Sequence, residues 1–174
     1  MRVRVSRVVA FVAACTVAPH LCAAQRSAES FASDFFSEYP ADATRFTSVP
    51  AWVDVARQPD SVLTAELAQA LEADYTEGTE VAGEVGGIDF DPFLASQDPC
   101  ETYRVTRVVP DGDVYLAEVH GDCLSEGPVV IVELVSHGDT FRFANFRYPS
   151  VSDDLLSILH AMREARSGKE YQGG

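Results

Sequence analysis

The stretch TYRVTRVVPDGDVYLAEVHGDC, residues 102–123, decides the fold class of this 174-residue chain. Apolar and polar side chains alternate on either side of a Pro-Asp-Gly-Asp segment, a pattern typical of strands that bury one face. The aspartate and glycine at its centre favour a tight hairpin turn. The stretch therefore predicts two antiparallel strands, over 102–109 and 113–121, joined by a two-residue turn at Asp111 and Gly112.

The same hairpin predicts a disulfide between Cys100 and Cys123. The turn places these residues opposite one another, within the roughly 4.4–6.8 Å between Cα atoms that a bridge requires. The other two of the four cysteines precede residue 25, in a segment that is predicted below to be removed on export. An exported chain that keeps two cysteines favours one bridge.

Two further strands are predicted over 129–136 and 140–148. The β-branched run at 129–132 favours a central position in the sheet. A two-residue turn at His137 and Gly138 would join the strands so that cross-strand neighbours match in kind, apolar with apolar and acid with base. The expected pairs are Leu134 with Phe141, Glu133 with Arg142, and Val132 with Phe143.

Helical periodicity marks the chain before these strands. Apolar residues recur at helical spacing over 27–39, where Ser27 can cap the start and Pro40 is expected to end the helix. Pro50 favours the first turn of a short second helix. A third helix is predicted over about 60–75.

A last helix follows the strands, with Ser152 as its expected N-cap and Gly168 near its end. Helices, then an antiparallel meander of about four strands, then a helix, predict a single α+β domain over 25–174. The N-terminal helices are expected to pack on one face of the sheet, because four strands alone cannot hide their apolar side.

Several motifs of the chain are similar to those of a known family. They are Asp-Phe-Phe-x-x-Tyr at 34–39, Leu-Thr-x-x-Leu at 63–67 and Asp-Pro-Phe-Leu-x-x-Gln-Asp at 91–98, with similar sequence at 141–148 and 155–159. Over residues 30–159 the chain resembles an exported bacterial family, the domain of unknown function 3828. The resemblance implies a nuclear-transport-factor-2-like cone, in which a curved sheet wraps a long helix. Because this fold hosts enzymes, ligand binders and protein-binding modules, it implies no activity.

The first 24 residues predict a signal peptide. Residues 1–7 carry three arginines and no acid, and residues 8–22 are apolar but too short to span a bilayer. The small residues before Gln25 place the cut after Ala24, and the protein is therefore predicted to be periplasmic or secreted. A lipid anchor at Cys15 or Cys22 is the alternative.

Removal of that segment leaves a strongly acidic chain. The segment holds three of the 13 basic residues and none of the 27 acidic ones, which leaves 10 against 27 and a net charge of −17. Such a surface repels nucleic acid and anionic membranes and attracts a basic partner. No transmembrane segment, cofactor or metal site is predicted for the mature chain, and the sequence leaves its oligomeric state open.

Residues 89–101 combine carboxylates with bulky apolar groups just before the first strand. Calcium would use such oxygens, but the D-x-D-x-D-G order of the specific calcium loop is absent. Aspartate before proline instead predicts the N-cap of a single helical turn, with the next polar side chains bonded to nearby backbone. The segment is therefore interpreted as a structural plug at the entrance of the sheet. Its members are Asp91, Pro92, Phe93, Leu94, Gln97 and Asp98.

The first hairpin also holds residue types used in general acid–base catalysis. The predicted pairing puts His120 opposite Tyr103, on the face that carries Glu118. Motifs of activated serine, of zinc proteases and of phosphate-binding loops are absent from the sequence. We therefore favour an exported non-catalytic binding protein, such as an immunity-type inhibitor of a basic toxin or hydrolase. The alternative is a small-ligand-binding or enzymatic cone, of isomerase or dehydratase type, that uses Tyr103, Glu118 and His120.

Overall fold

Helices and strands follow one another in the predicted order in the computed structural model of the chain. It describes residues 18–45, 47–79, 87–123 and 127–170. The elements are α1 (Ala18–Ala43), α2 (Ala51–Arg57), α3 (Ala65–Thr79), β1 (Tyr103–Asp111), β2 (Val114–Gly121), β3 (Val130–His137), β4 (Thr140–Tyr148), β5 (Asp153–Asp154) and α4 (Leu155–Glu170). The strands form one antiparallel sheet in sequence order. The α+β class is therefore confirmed, with one short strand more than the predicted four.

The core lies between α1 and one face of the sheet, which we call the inner face. Three phenylalanines of α1 place their ring centroids 4.9–6.2 Å from the ring of Phe143. Beside them, Phe93 stacks on Phe146 at 4.9 Å. Burying each such ring stabilises the fold by about 1.5–3 kcal/mol, so the inner face is a packed layer of aromatic side chains. The three rings of α1 belong to Phe31, Phe35 and Phe36.

The predicted limits of the first helix are wrong at both ends. α1 begins at Ala18, so Ser27 lies inside the helix and does not cap it, and the helix runs across the predicted cut after Ala24. Most of the predicted signal peptide, with Cys15, falls on residues 1–17, which lie outside the described residues.

Pro40 does not end α1, which continues to Ala43. Proline lacks the N–H that would bond to the carbonyl four residues earlier. The following turn closes nevertheless, because the Thr44 N–H donates to the Pro40 carbonyl at 3.2 Å. Tyr39 and Pro40 are both buried, so tertiary packing keeps the backbone helical against the local preference of a residue that precedes proline.

Both hairpin turns lie one residue later than predicted. The two-residue turns are Gly112-Asp113 and Gly138-Asp139, and each begins with a glycine, at φ of +61° and +60° respectively. Glycine adopts this left-handed backbone without steric cost, which is why it occupies the first position of such a turn.

The later turn changes the pairing in the first hairpin. Asp111 pairs with Val114, and a bulge near Thr106 then brings Tyr103 opposite Gly121. The predicted pairing of Tyr103 with His120 is therefore wrong by one residue. Because side chains alternate between the faces of a sheet, this shift decides which residues share a face.

The predicted pairs of the second hairpin are also wrong. Because the turn lies one residue later, each β3 residue pairs with a β4 residue two positions further along than predicted. Beyond the bulge at Ala144 the partner lies one further position along. The shift of two keeps each side chain on its original face, so the apolar match is preserved. The observed pairs are Leu134 with Phe143, Val135 with Arg142, Glu133 with Asn145, and Val132 with Phe146.

The segment 62–64 pairs with β4 and delays the start of α3. Phe143 donates its N–H to the Val62 carbonyl at 2.8 Å and accepts from the Thr64 N–H at 2.9 Å. The helix predicted from about residue 60 therefore begins at Ala65, where the Thr64 side chain accepts from the Leu67 N–H at 3.4 Å.

α4 is capped by Asp154 and not by the predicted Ser152. The Asp154 carboxylate accepts from the Ser157 N–H at 3.1 Å and from the Asn145 amide at 2.8 Å. These bonds lower the pKa of Asp154 even though burial alone would raise it. Ser152 instead takes a left-handed turn conformation, with φ of 56°.

Candidate functional site

Asp91 organises the turn that carries the predicted plug. Its Oδ1 accepts from the N–H groups of Phe93 and Leu94, each at 3.0 Å. Its backbone exchanges two bonds with Ser96, at 2.8 and 3.3 Å. A short side chain that accepts two successive amides is how an N-cap fixes a single turn, and the turn drives Pro92, Phe93 and Leu94 into the core.

The outer residues of this turn are polar and exposed. The sequence predicts a bond from the Gln97 side chain to nearby backbone. The side chain instead donates to the Asp89 carboxylate at 3.0 Å. The exposed Asp98 receives support through its N–H, which donates to the Ser96 hydroxyl at 3.0 Å. The turn therefore presents carboxylates to the outside and aromatic side chains to the inside.

Two tyrosines from distant elements meet at this turn. The Tyr39 hydroxyl of α1 donates to Asp91 Oδ2 at 2.6 Å. The Tyr148 hydroxyl of β4 donates to the Pro92 carbonyl at 2.8 Å. Both hydroxyls are buried, and burial together with the nearby Asp91 charge raises the pKa of each well above its usual range.

Burial raises the pKa of Asp91 to about 6. The bond from Tyr39 and the two backbone N–H groups act in the opposite direction, because they stabilise the ionised form, but burial is the larger effect. A carboxyl group that titrates near neutral pH beside a bonded hydroxyl can exchange a proton with a ligand.

A cavity of about 370 Å³ lies beside this carboxylate. Its walls come from the end of α1, the linker to α2, the first residues of α2 and the 88–99 segment. Trp52 and Phe90 give it apolar surface, while Asp89, Asp91 and serine and threonine hydroxyls give it oxygen acceptors. The volume lies within the roughly 300–1,000 Å³ of ligand pockets, and the lining is more polar than is usual for them.

A carboxylate more deeply buried than that of Asp91 fixes the other end of the same segment. Asp74 of α3 is only 2% exposed and accepts from Ile88 N–H and from Arg166 Nη1, both at 2.8 Å. Arg166 also donates to Glu77 at 3.2 Å. Gly87 leaves room for this contact, because a Cβ there would lie 2.8 Å from the Asp74 carboxylate.

Cys100 and Cys123 form the predicted disulfide. Their Cα atoms are 5.4 Å apart, just beyond the pair of Tyr103 with Gly121. A Cβ on residue 121 would lie 2.6 Å from the Cys100 sulfur, so glycine at this position makes room for the bridge. The disulfide ties the end of the 88–99 segment to the first hairpin.

The three residues of the alternative, Tyr103, Glu118 and His120, do not share one face of the sheet. Tyr103 is buried on the inner face, where its hydroxyl accepts from the Cys100 N–H at 3.0 Å. Glu118 lies on the outer face and pairs with Arg107 at 3.1 Å. His120 is opposite Arg104 on that same outer face. The bulge near Thr106 causes this separation, because it moves the register by one residue.

One group of three potential metal ligands converges among the residues that the structure describes. It consists of Cys100, Asp122 and Cys123, and the disulfide occupies both sulfur atoms. The Asp122 carboxylate accepts from the Thr102 N–H at 3.3 Å. The three residues therefore hold together the open end of the first hairpin.

Sequence reasoning identified the Asp91 turn from its local motif but missed its partners. Tyr39 and Tyr148 are 52 and 57 positions away, and the contacts that bring them to the turn pass through the core. Tyr39 ends an apolar helical stripe, which predicts that its ring is buried. A buried tyrosine hydroxyl usually has a hydrogen-bond partner, and this is the signal that could have drawn attention to it.

Searches of protein-family models, curated proteins and solved structures return no match for this chain. Within residues 18–45, 47–79, 87–123 and 127–170, none of the helices combines the length and the apolar character needed to cross a membrane.

Proposed function

We propose that this chain is an exported, non-catalytic binding protein that recognises a basic protein, as immunity-type inhibitors of toxins or hydrolases do. The main support is that the inner face of the sheet is filled. Aromatic rings from α1, β4 and the Asp91 turn occupy it, whereas the cavity beside Asp91 and a cavity of about 380 Å³ between α3 and α4 are lined by residues outside this aromatic layer. That arrangement suits recognition of a protein surface better than conversion of a small molecule inside a cone.

Exposed carboxylates on α1, whose last residue lines the cavity, and on the cavity wall itself give the partner its proposed chemistry. Asp34, Glu38 and Asp42 are exposed and four residues apart, so they share one face of α1. Asp42 acts electrostatically on Tyr39, the partner of Asp91, and the exposed Asp89 lies on the cavity wall. We call these four carboxylates the acidic rim. A basic partner would be attracted to it over about 10 Å at 0.1 M salt.

Export is part of the proposal, and the disulfide supports it. Such bridges persist in oxidising compartments and are rare in the cytosol. N-terminal sequencing of the protein from an envelope fraction is expected to begin at Gln25. A chain that keeps residues 1–24 in the cytosol would contradict export.

The cone-shaped fold implied by the resemblance to the domain of unknown function 3828 is likewise a proposal. A long helix that packs on one face of an antiparallel meander supports it. An experimental structure with a strongly curved sheet wrapped around α1 is the expected result, and a flat sheet would reject the nuclear-transport-factor-2-like assignment.

The binding proposal is tested with the purified protein as bait in an envelope extract. The captured partner is identified by mass spectrometry, purified and measured by surface plasmon resonance. We expect a basic protein whose association rate falls by about tenfold or more from 10 mM to 300 mM salt. A variant with Asn or Gln at Asp34, Glu38 and Asp42 should associate more slowly.

The matched control neutralises Asp111 and Asp113, which are exposed at the first hairpin turn and lie outside the acidic rim. This control should leave the association rate unchanged. An association rate that does not respond to salt, or that responds equally to both variants, would count against the acidic rim as the binding surface.

A further inference from the structure

The cavity beside Asp91 combines the two kinds of surface that an arginine side chain uses. Carboxylate oxygens of Asp89 and Asp91 are the acceptors that a guanidinium prefers. Phe90, which is half-buried, and Trp52, which is only 5% exposed, lie on the same wall, and apolar side chains there can pack against the aliphatic stem of an arginine. A volume of about 370 Å³ accommodates one long side chain.

In the part of the chain that the structure describes, the donors to the Asp91 carboxylate are neutral groups. They are the Tyr39 hydroxyl and the N–H groups of Phe93 and Leu94. Neither Asp89 nor Asp91 belongs to an ion pair among the described residues. An ionised carboxylate in such surroundings lacks a compensating charge, which an incoming cation would supply.

Arg45 stands on the cavity wall but is already engaged. Its guanidinium pairs with Asp42 at 2.8 Å, and both side chains are more than half exposed. Arg45 therefore neutralises Asp42 and not the half-buried Asp91 carboxylate. Of the titratable groups that the structure describes, those that interact with Asp91 or share its cavity wall are Tyr39, Arg45, Asp89, Tyr103 and Tyr148.

We propose that this cavity receives an arginine side chain of the basic partner, with the guanidinium at the Asp91 carboxylate and the aliphatic stem along the wall that Phe90 and Trp52 form. This inference rests on the proposed function and names the contact at its centre. A buried arginine is a frequent anchor of protein interfaces, and an anchor that neutralises an enclosed charge gains more than one bound at an exposed carboxylate.

The probe is the blocked peptide acetyl-Gly-Gly-Arg-Gly-Gly-amide. Its control is the same peptide with citrulline, which keeps the shape of arginine and lacks the charge. Trp52 is the single tryptophan of the chain, so its fluorescence and its indole resonance report on the cavity directly. The arginine peptide is expected to shift both signals with a dissociation constant at least about tenfold lower than the citrulline peptide.

Three variants locate the contact. Asp91→Asn retains a side chain that can cap the turn and should weaken the arginine peptide by about tenfold. Asp89→Asn removes an exposed carboxylate that caps nothing and should also weaken it, which keeps the test valid if Asp91→Asn folds poorly. Asp98→Asn, on the same segment but outside the cavity wall, should bind like the original protein.

Proton release gives an independent reading. A cation at Asp91 favours its ionised form, so at pH 6 binding of the arginine peptide should release protons, measured by calorimetry in two buffers of different ionisation enthalpy. Asp91→Asn should abolish this release. Equal binding of the two peptides, or equal binding by Asp91→Asn, Asp89→Asn and Asp98→Asn, would overturn the arginine site.

The outcome is separable from that of the proposed function. If the captured partner binds with salt dependence but tolerates both Asp89→Asn and Asp91→Asn, the cavity inference fails and the acidic rim stands. If the arginine peptide binds at Trp52 but the partner's association rate is independent of salt, the cavity stands and the acidic interface fails.

Discussion

Asp74 and Asp91 hold the two ends of one segment by opposite electrostatic means. Asp74 receives a guanidinium at 2.8 Å from α4, together with the Ile88 N–H. Asp91 receives a phenol and two amides, all neutral. The Asp74 carboxylate already has a cation beside it, whereas the Asp91 carboxylate has neutral donors and can still accept a cation. The difference locates the responsive end of the segment at Asp91.

Removing the guanidinium that pairs with Asp74 should have the largest effect on stability. Arg166→Met leaves Asp74 buried without its guanidinium, and breaking one partner of a buried pair costs about 3–5 kcal/mol. We expect a loss of that size in the free energy of unfolding, measured with urea. The control is Arg163→Met, because Arg163 is mostly exposed and lies 3.5 Å from Glu77, a pair expected to contribute less than about 1 kcal/mol. Equal losses in both variants would remove the contrast.

Opening the disulfide should loosen the Asp91 end specifically. The bridge spans 23 positions, and closing a loop of that size stabilises the fold by roughly 3 kcal/mol in the chain-entropy model. The Cys100→Ser, Cys123→Ser variant should lose about that amount of unfolding free energy. In hydrogen exchange the amides of Phe93 and Leu94 should lose more protection than that of Ile88. A uniform loss along the segment would show that the bridge does not distinguish its ends.

Acidification should stabilise the protein through Asp91. Its pKa is raised to about 6 in the folded state from 3.8, so the folded state holds its proton more tightly than the unfolded state. This contribution to stability is complete below the unfolded pKa and is lost as pH rises through 6. Between pH 4.5 and 7.5 we expect a loss of about 2 kcal/mol.

Asp91→Asn is the reference for that measurement, since the difference between the two pH profiles removes the other titrating groups. Asp154, with its lowered pKa, contributes with the opposite sign and cancels in this difference. Parallel profiles for the two proteins would mean that Asp91 does not titrate in this range.

The smallest effect is expected from single hydroxyl groups. Tyr39→Phe removes a bond worth about 1 kcal/mol and should move the pKa of Asp91 upward, because that bond stabilises the ionised form. Tyr148→Phe removes a bond to the Pro92 carbonyl and should cost similar stability without a comparable shift. The titration midpoint of the Asp91 carboxyl is followed by NMR. Identical midpoints in Tyr39→Phe and the original protein would show that Tyr39 does not influence the pKa of Asp91.

Local patterns were sufficient for the elements that depend on local physics. Alternation located four strands within a few residues, and the Asp91-Pro92 pair located the capped turn. The disulfide followed from a hairpin even though its exact register was wrong, since the bulge near Thr106 offset half of the error introduced by the later turn.

Contacts between distant residues were not predictable in this way. The sequence of β4 contains no break in apolar–polar alternation that would have predicted the bulge at Ala144. Asp74 and Arg166 are 92 positions apart, and each fits an unremarkable helix pattern. Tyr39 was placed in the right helix, but its contact with Asp91 depends on how α1 packs on the sheet, which local sequence patterns do not show. The cavity depends on these same contacts, so the sequence indicated its turn and not its walls.

The bonds between Phe143 and the segment 62–64 set an order of assembly. The Val62 and Thr64 backbones find their partner only after about 80 further residues have been made, and α1 obtains its aromatic contacts from the same strand. Contacts of such sequence separation form slowly, because the intervening chain must close first. The segment 62–64 and the aromatic face of α1 therefore wait for β4 before they are buried. A chain that stays open until β4 emerges is one that can still pass unfolded through a narrow channel.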